Sequence, residues 1–520
     1  MLKAPKKCEL FPRDIVPFLK KRGILLTTGN NGNLVPQERE KPGVLCTDSR
    51  KVQPGDVFLA YRGVASDGHR YIQTAIDRGA SFVLVEDPHF FEALGNKIKV
   101  PWAQVPNGRA AWAELASFAF GNPQESLQIL GVTGTNGKTS TVWMTAEILR
   151  HLGIPCLTIG TLGARLGDEE FPTGHTTPDP DILFGLLHLA KIRGIKVVAM
   201  EVSSHSLVQE KVRCLTFSAC AFTSFSRDHL DFHPTMDAYW EAKWRLFTVH
   251  AAKDAPCFFA DVLADRLKLN TFKNRALIYG FNAHRISGAL NSIQYLEIHS
   301  SPSQGLATQL TLKNNHQHLS VITDLFAKHT LENLTAAVLL ASVVVGHLPS
   351  PEAIARVRPV PGRLEPVKLN KGPVVIVDYA HTPDALEKTL QVLRPVCVGQ
   401  LFVVFGCGGD RDPGKRPLMG RVAVDHADKV YITSDNPRSE NPERIIQDIL
   451  SGIPRSENVF VMADRSQAIK EAVLAATSDD LILIAGKGHE TYQIIGDKTH
   501  SFDDRLVAHK ALATRENLPC

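Results

Sequence analysis

The run Gly131-Val-Thr-Gly-Thr-Asn-Gly-Lys-Thr139 has the composition of a loop that cradles phosphate. Backbone N–H groups in such a loop point at phosphate oxygens, and a helix that follows adds its positive N-terminal end. Thr133, Gly134, Thr135, Asn136 and Gly137 would line the phosphates, Lys138 would neutralise their charge, and the Thr139 hydroxyl would ligate Mg²⁺. The usual spacing puts a glycine five residues before the Gly-Lys pair; here that place is Val132, with glycines at 131 and 134 instead. The bland alternative is a glycine-rich turn with an exposed lysine. The apolar run Gln128–Val132 before the loop and the helical pattern from Lys138 argue against it. The loop specifies a nucleoside triphosphate and is silent on the second substrate.

Carboxylates and imidazoles follow. The strand-like run Lys196–Val202 carries Glu201 near its end, in Glu-Val-Ser-Ser-His205. At the C-terminal end of a strand in a doubly wound sheet, a carboxylate sits at the ligand edge, where it suits Mg²⁺ near the γ-phosphate. The competing reading is a solvated strand end. Ser226-Arg-Asp-His-Leu-Asp-Phe-His233 holds two Asp and two His, which serve equally as metal ligands or as a capped turn. In Tyr239-Trp-Glu-Ala-Lys-Trp-Arg-Leu-Phe247, Lys243 stands between tryptophans, and a lysine so placed ordinarily just snorkels.

The elements that must position these residues belong to an ordinary globular chain. Its 520 residues, 44% hydrophobic and 22% charged, suggest about three domains. A net charge of +4 is too small for a nucleic-acid or membrane-surface protein. No apolar stretch reaches the roughly 18–20 residues that span a bilayer, and MLKAPKKCELFPRD lacks the apolar run of a signal peptide. The nine cysteines are scattered and form no C-x-x-C, so neither a disulfide framework nor a zinc site is expected. The chain reads as soluble and cytoplasmic.

Strands are expected at Val57–Ala60, Ser81–Val85, Gln128–Val132, Lys196–Val202 and Ala219–Thr223, with helices at Tyr71–Arg78, Ala110–Phe120 and from Lys138. The last would carry Val142, Ala146, Leu149 and Leu152 near one face. Linkers are expected at Gly121–Gln124 and in the Pro/Gly-rich stretch His347–Gly362. Beyond it, apolar runs at Val374–Val377, Leu401–Phe405, Lys429–Thr433, Val459–Met462 and Leu481–Ala485 alternate with helical patterns such as Ala385–Leu393. That alternation signals a buried parallel sheet. The expectation is an α/β protein of three domains: 1–125, a central P-loop domain over 126–357 with a mostly parallel sheet, and a Rossmann-like domain over 358–520.

In order, the chain holds Gly-Thr-Asn-Gly-Lys-Thr, Glu-Val-Ser-Ser-His, Arg-Asp-His-Leu-Asp and Glu-Ala-Lys-Trp-x-Leu-Phe. Thr47-Asp-Ser-Arg50, Asp67-Gly-His69, His175-Thr-Thr-Pro178, Gly362-Arg-Leu-Glu365, Asp378-Tyr-Ala-His-Thr-Pro383, Asp435-Asn-Pro-Arg438 and Gly486-Lys-Gly-His-Glu490 extend the pattern nearly end to end. Together these closely resemble the Mur ligases, ATP-dependent amino-acid ligases of peptidoglycan synthesis. Within them the chain is similar to the type that adds the third stem-peptide residue to UDP-N-acetylmuramoyl-L-alanyl-D-glutamate.

The resemblance implies that Lys243 is carbamylated to N6-carboxylysine, which turns an ammonium into an oxygen ligand. It implies that Thr139 and Glu201 hold one Mg²⁺ and that His229 and carbamylated Lys243 hold or orient a second. Catalysis would fall to Lys138, Glu201, His229 and Lys243. ATP would also meet Asn333 at the adenine, Arg363 near the phosphates and Asp378 at the ribose. Thr47, Ser49, Thr176, Thr177, Ser203, Gln209 and Lys211 would bind the nucleotide-sugar. Three residues depart from the family pattern. Ala327 and Thr330 stand where Gly and the first Asn are usual before Asn333, and Lys211 stands where Arg is usual, leaving Lys211 or a shifted Arg213 for that contact.

The resemblance further implies that Arg411, Asp435, Asn436, Pro437, Arg438, Gly486 and Glu490 take the amino acid. Asp-Asn-Pro-Arg marks the diaminopimelate-adding members. A guanidinium grips a distal carboxylate by a bidentate pair, and Glu490 would meet the distal ammonium. The implied partners are the UDP-N-acetylmuramoyl-dipeptide, ATP and meso-diaminopimelate, with no nucleic acid, no membrane insertion and a monomeric enzyme that closes its domains to work. The alternatives are another ligase of the superfamily, lysine-adding, MurF-type or folylpolyglutamate-forming, and a P-loop protein that binds nucleotide without ligating anything.

Overall fold

The computed structural model describes residues 7–29, 41–63, 66–87, 89, 100–267, 272, 275–284, 294–303, 307–367, 372–454 and 457–516. The chain divides into two compact units, residues 1–357 and 358–520. Both are α/β.

The first unit holds two sheets. In the N-terminal one, Gly43–Cys46, Val57–Ala60, Phe82–Val85 and Trp102–Gln104 run parallel, with Glu9–Leu10 and Thr27–Gly29 antiparallel at the edges. The apolar runs VFLA and FVLV are buried along their whole length, as parallel strands covered on both faces require.

The second sheet has eleven described strands. Gln128–Thr133 lies at its centre, between Val197–Glu201 and Ala219–Phe222, all parallel. The chain leaves the central strand for Cys156–Gly160, returns to lay Val197–Glu201 beside it, then crosses to Ala219–Phe222 on its other side. The strand order therefore reverses at the C-terminal end of Gln128–Thr133, where open α/β sheets bind ligands. The helix Lys138–His151 buries Thr141, Val142, Met144, Thr145, Ile148 and Leu149. Ala146 and Leu152, expected on that face, are only partly buried. The buried arc is set by the helix Lys328–Val345 as well as by the sheet, because both pack against Lys138–His151.

In the second unit, Val374–Asp378, Leu481–Ala485, Leu401–Phe405, Lys429–Ile432 and Val459–Val461 form a parallel sheet in that order, with Glu365–Val367 antiparallel at one edge. The expected strands and the helix Pro383–Leu393 are present, shifted by a residue or two. The proline-rich linker contains one short helix, Pro351–Ala355, capped by Ser350. Among the described residues no helix is long and apolar enough to cross a membrane.

Among the described residues of the second unit, one ion pair is completely buried. Arg465 Nε and Nη2 donate to the two Asp504 oxygens at 2.8 Å each, and both side chains are 0% exposed. Removing one partner strands the other charge in low dielectric. Asp504→Ala should therefore destabilise this unit by about 3–5 kcal/mol. Urea unfolding of the variant measures this, and an unchanged midpoint would contradict it.

Candidate active site

The phosphate loop is fastened from the neighbouring strand. Past Ala219–Phe222, the Thr223 hydroxyl donates to Asn136 O at 2.5 Å, and Ser224 accepts from Thr135 N on its carbonyl and from Asn136 N on its Oγ, both at 2.9 Å. Those two amides are thereby used to shape the loop. The amides opening the helix at Lys138 and Thr139 lack intrahelical acceptors and remain for an anion. Lys138 curls back, its Nζ donating to Gly134 O and Thr135 O at 2.9 Å.

Glu201 reaches the same place from the adjacent strand. It is 1% exposed, and Thr161 donates to its two oxygens through N (2.8 Å) and Oγ1 (3.1 Å). The Thr139 hydroxyl faces the same carboxylate and favours its charged form. Gly160 leaves no room for a Cβ beneath it. Burial pushes its pKa up, while the Lys138 charge and these hydrogen bonds oppose that shift. A buried carboxylate beside a hydroxyl at the start of the helix that follows the glycine loop is a fitting pair of oxygen donors for Mg²⁺. Glu201 is thus no solvated strand end.

Lys243 does not snorkel. The helix Met236–Arg245, capped by the Thr235 hydroxyl on Ala238 N, presents two faces. Trp240 and Trp244 stack on one, packed into Phe222, Phe247 and Phe259. Tyr239 and Lys243, one turn apart, form the other. Lys243 is 1% exposed; its Nζ lies 4.6 Å from the Tyr239 ring centre and donates to Gly134 O at 2.8 Å. Two lysines therefore converge on one carbonyl. Burial first, and the Lys138 charge second, push the Lys243 ammonium well below the usual lysine range. A lysine that sheds its proton easily is a nucleophile for CO₂, and its carbamate would supply the oxygen that an ammonium cannot.

His229 sits on a left-handed residue (φ 52°), half-exposed, its ring edge-on to His205 at 4.8 Å and to Tyr239 at 6.0 Å. Lys243 and His229 thus share Tyr239 as a neighbour. Among the described residues no three or more of His, Cys, Asp and Glu form a metal-holding cluster. His233 is held by Ser204 Oγ at 2.9 Å, and burial together with the neighbouring His205 and Lys243 lowers its pKa to about 4.

The residues expected at the nucleotide-sugar divide between the two sheets. Thr47 and the buried Ser49 follow the strand Gly43–Cys46, with Asp48 capping the turn through Arg50 N. Thr176 and Thr177 lie beside the strand Val197–Glu201. Thr161 and Thr176 share a hydroxyl bond of 3.1 Å, and Thr177 Oγ1 donates to Glu201 O at 3.0 Å and accepts from Ser203 N at 3.1 Å. Lys211 Nζ reaches Thr177 O (3.5 Å) and pairs with Asp179 (2.7 Å). Arg213 turns away to Glu114 and Glu210. Of the two cations, Lys211 is therefore the one at the threonine loop. Gln209 caps the short helix Ser204–Val208. Asn333 packs so closely on Gly137 that a Cβ there would strike its amide, and Thr330 stands in the first turn of the same helix.

In the second unit Asp378 is buried, its oxygens accepting from Leu364 N (2.8 Å) and Ala380 N (2.9 Å), and Arg363 lies over the Tyr379 ring. A separate cluster forms where Leu401–Phe405 and Lys429–Ile432 end. Arg438 Nη1 donates to Gly409 O at 2.8 Å. A Cβ on Gly408 would lie 3.0 Å from Arg438 Nη1 and 3.7 Å from Arg411 Cγ, so both arginines border that glycine. Asn436 links this cluster to Gly486–Glu490. Its Nδ2 donates to Glu490 Oε2 at 2.8 Å, and the buried Lys487 Nζ donates to Asn436 Oδ1 and Glu490 Oε2 at 3.2 and 3.1 Å. Glu490, expected at a substrate ammonium, already answers an internal one. Asp435 lies beneath Gly486, its pKa raised by burial against the opposing charges of Arg465 and Lys487.

The chain matches the Mur ligase catalytic domain over residues 44–119, the Mur ligase middle domain over 132–341 and the Mur ligase glutamate ligase domain over 362–488. A Coxiella burnetii protein named UDP-N-acetylmuramoyl-L-alanyl-D-glutamate--2,6-diaminopimelate ligase is 40% identical over 471 residues, 90% of this chain and 95% of its own. A Chromobacterium violaceum protein of the same name is 41% identical over 473 residues, 89% and 93% of the two chains. The chain belongs to the Mur ligase family. A solved structure of a ligase with that same name superposes with a TM-score of 0.67 at 30% identity, covering 95% of this chain and 100% of the other. A Thermotoga maritima MurF ligase in complex with ADP shares the fold at a TM-score of 0.52 and 18% identity.

Several residues of this Mur ligase's site escaped the sequence reading. Thr161 fixes Glu201, Thr223 and Ser224 fix the phosphate loop, and Lys487 neutralises Glu490. Each stands just past a strand end, and that position was the available signal.

Proposed function

We propose that this Mur ligase joins meso-diaminopimelate to the D-Glu side-chain carboxylate of UDP-N-acetylmuramoyl-L-alanyl-D-glutamate, driven by ATP. The meeting of Lys138 and Lys243 at Gly134 O, with Thr139 and the Thr161-held Glu201 carboxylate beside Lys138, carries the reading, and the names of relatives about 40% identical supply its substrates. The reaction transfers the γ-phosphoryl group to the carboxylate. The substrate's amine then attacks the acyl-phosphate carbonyl and phosphate leaves.

Both partners of the first step are anionic, so the protein's work is positioning and charge neutralisation. The helix-opening amides and Lys138 hold the phosphates. Thr139 and Glu201 would hold one Mg²⁺, and His229 with carbamylated Lys243 a second. Bound there, the ions would neutralise charge on the phosphoryl oxygens. Thr47, Ser49, Thr176, Thr177, Ser203, Gln209 and Lys211 would bind the nucleotide-sugar. Asn333, Arg363 and Asp378 would serve ATP, and the Arg438 cluster the amino acid. The enzyme would act as a cytoplasmic monomer.

Phosphate release with the UDP-N-acetylmuramoyl-dipeptide against a panel of amino acids tests the reading. Turnover should require both substrates and favour meso-diaminopimelate. ATP hydrolysis indifferent to the two substrates would return the chain to a non-ligating P-loop protein. Glu201→Gln should lower kcat by ~10²–10³ and raise the Mg²⁺ concentration needed, because a charged ligand is lost and little else changes. Kinetics across a Mg²⁺ titration check this, and an unshifted curve would remove Glu201 from the metal site.

A further inference from the structure

Arg411 and Arg438 stand on two separate turns, residues 407–411 and 435–440, and neither turn is intrinsically stable. Asp410 (φ 53°) and Arg438 (φ 50°) are both left-handed without being glycine. Such residues persist only where their surroundings over-determine them, and they concentrate at functional sites.

A reciprocal set of bonds supplies that constraint. Glu440 Oε1, on the second turn, accepts Asp410 N of the first at 2.6 Å. Asp410 in return accepts Ser439 Oγ at 2.6 Å and Ser439 N at 3.2 Å. Glu440 is itself gripped by Arg416, whose Nη1 and Nη2 donate to its two oxygens at 3.0 and 2.8 Å. Arg416 is 2% exposed, donates also to Gly408 O at 3.3 Å, and pairs with Asp448 at 2.8 Å. One buried guanidinium therefore fixes the residue before Arg411 and, through Asp410, the residue after Arg438. None of these groups is free to hold substrate, since their polar atoms face one another.

We propose that the Arg416–Glu440 pair is a positioning clasp that presets Arg411 and Arg438 for the distal carboxylate of the amino-acid substrate. The inference rests on the diaminopimelate reading above. Two guanidinium groups that share one carboxylate must both be placed before substrate arrives, and loss of a positioning shell shows as weakened binding of that one ligand.

The test is steady-state kinetics of wild type, Glu440→Ala, Glu440→Gln and Ser439→Ala, varying each of the three substrates in turn. Glu440→Ala should raise the KM for meso-diaminopimelate at least tenfold, with the KM values for ATP and the nucleotide-sugar within twofold of wild type. Glu440→Gln keeps an oxygen for Asp410 N and should fall between the two. Ser439→Ala, which removes one exposed hydroxyl without disturbing Arg416, should raise the same KM severalfold and serves if Glu440→Ala does not fold. A diaminopimelate KM within twofold of wild type in both alanine variants, or an equal rise in all three KM values, would overturn the clasp. A wild type that does not use diaminopimelate would overturn the functional reading instead, whatever the variants do.

Discussion

Lys243→Ala is expected to lose about 10³-fold or more in kcat, the scale of removing a well-placed electrostatic stabiliser, while unfolding at close to the wild-type midpoint. The two halves of that expectation come from the same geometry. The amine is 1% exposed, beside Lys138 and under the Tyr239 ring. A buried lysine held near a second cation contributes little to stability, since burial disfavours its charged form. The role proposed for it is reactivity: once deprotonated, the amine at Gly134 O would take up CO₂ and present an oxygen to the phosphate site. Lys243→Arg separates this from a plain cation role. A guanidinium keeps the charge and is not carbamylated, so the Arg variant should be as inactive as Ala. Formate or acetate at high concentration should restore part of the Ala variant's activity by supplying the missing oxygens. Full activity of either variant without additives would refute the carbamate.

Arg438→Ala should cut kcat/KM for meso-diaminopimelate by 10²–10³, about 3–4 kcal/mol, with the KM for ATP nearly unchanged. The phosphate loop belongs to the other compact unit. In wild type, L-lysine would leave Arg438 and Arg411 without a carboxylate in a site shaped for one. Such sites reject an analogue lacking the polar group by ~10⁴ or more. The variant should lose this discrimination chiefly by losing diaminopimelate, since removing a guanidinium builds no lysine pocket. The measurement is kcat/KM for both amino acids in both proteins. A wild type that uses lysine equally well, or a variant with unchanged preference, would free Arg438 of the role.

Much of this was legible in the residues. The parallel sheets followed from apolar runs such as Val57–Ala60 and Leu401–Phe405, because only strands covered on both faces can afford to be apolar throughout. The phosphate loop followed from its glycines between a strand and a helix. Periodicity misplaced Ala146 and Leu152 because a second helix, distant in sequence, decides which arc of Lys138–His151 is buried.

What only the tertiary structure decided is the electrostatic state of the site. Sequence order placed Glu201, Thr139 and Lys243 at separate strand ends and helices; the strand crossover brought them together. Whether Lys243 snorkels or sheds its proton depends on burial, which its flanking tryptophans could not reveal. Lys211 rather than Arg213 meets Thr177 because Glu114, about a hundred residues earlier in the chain, claims the arginine. The hydrogen-bonded clasp on Arg411 and Arg438 is invisible in one dimension for the same reason. Local sequence specifies a residue's chemistry and the element that carries it. Its pKa and partners are set by desolvation and by charges that come close only when the chain folds.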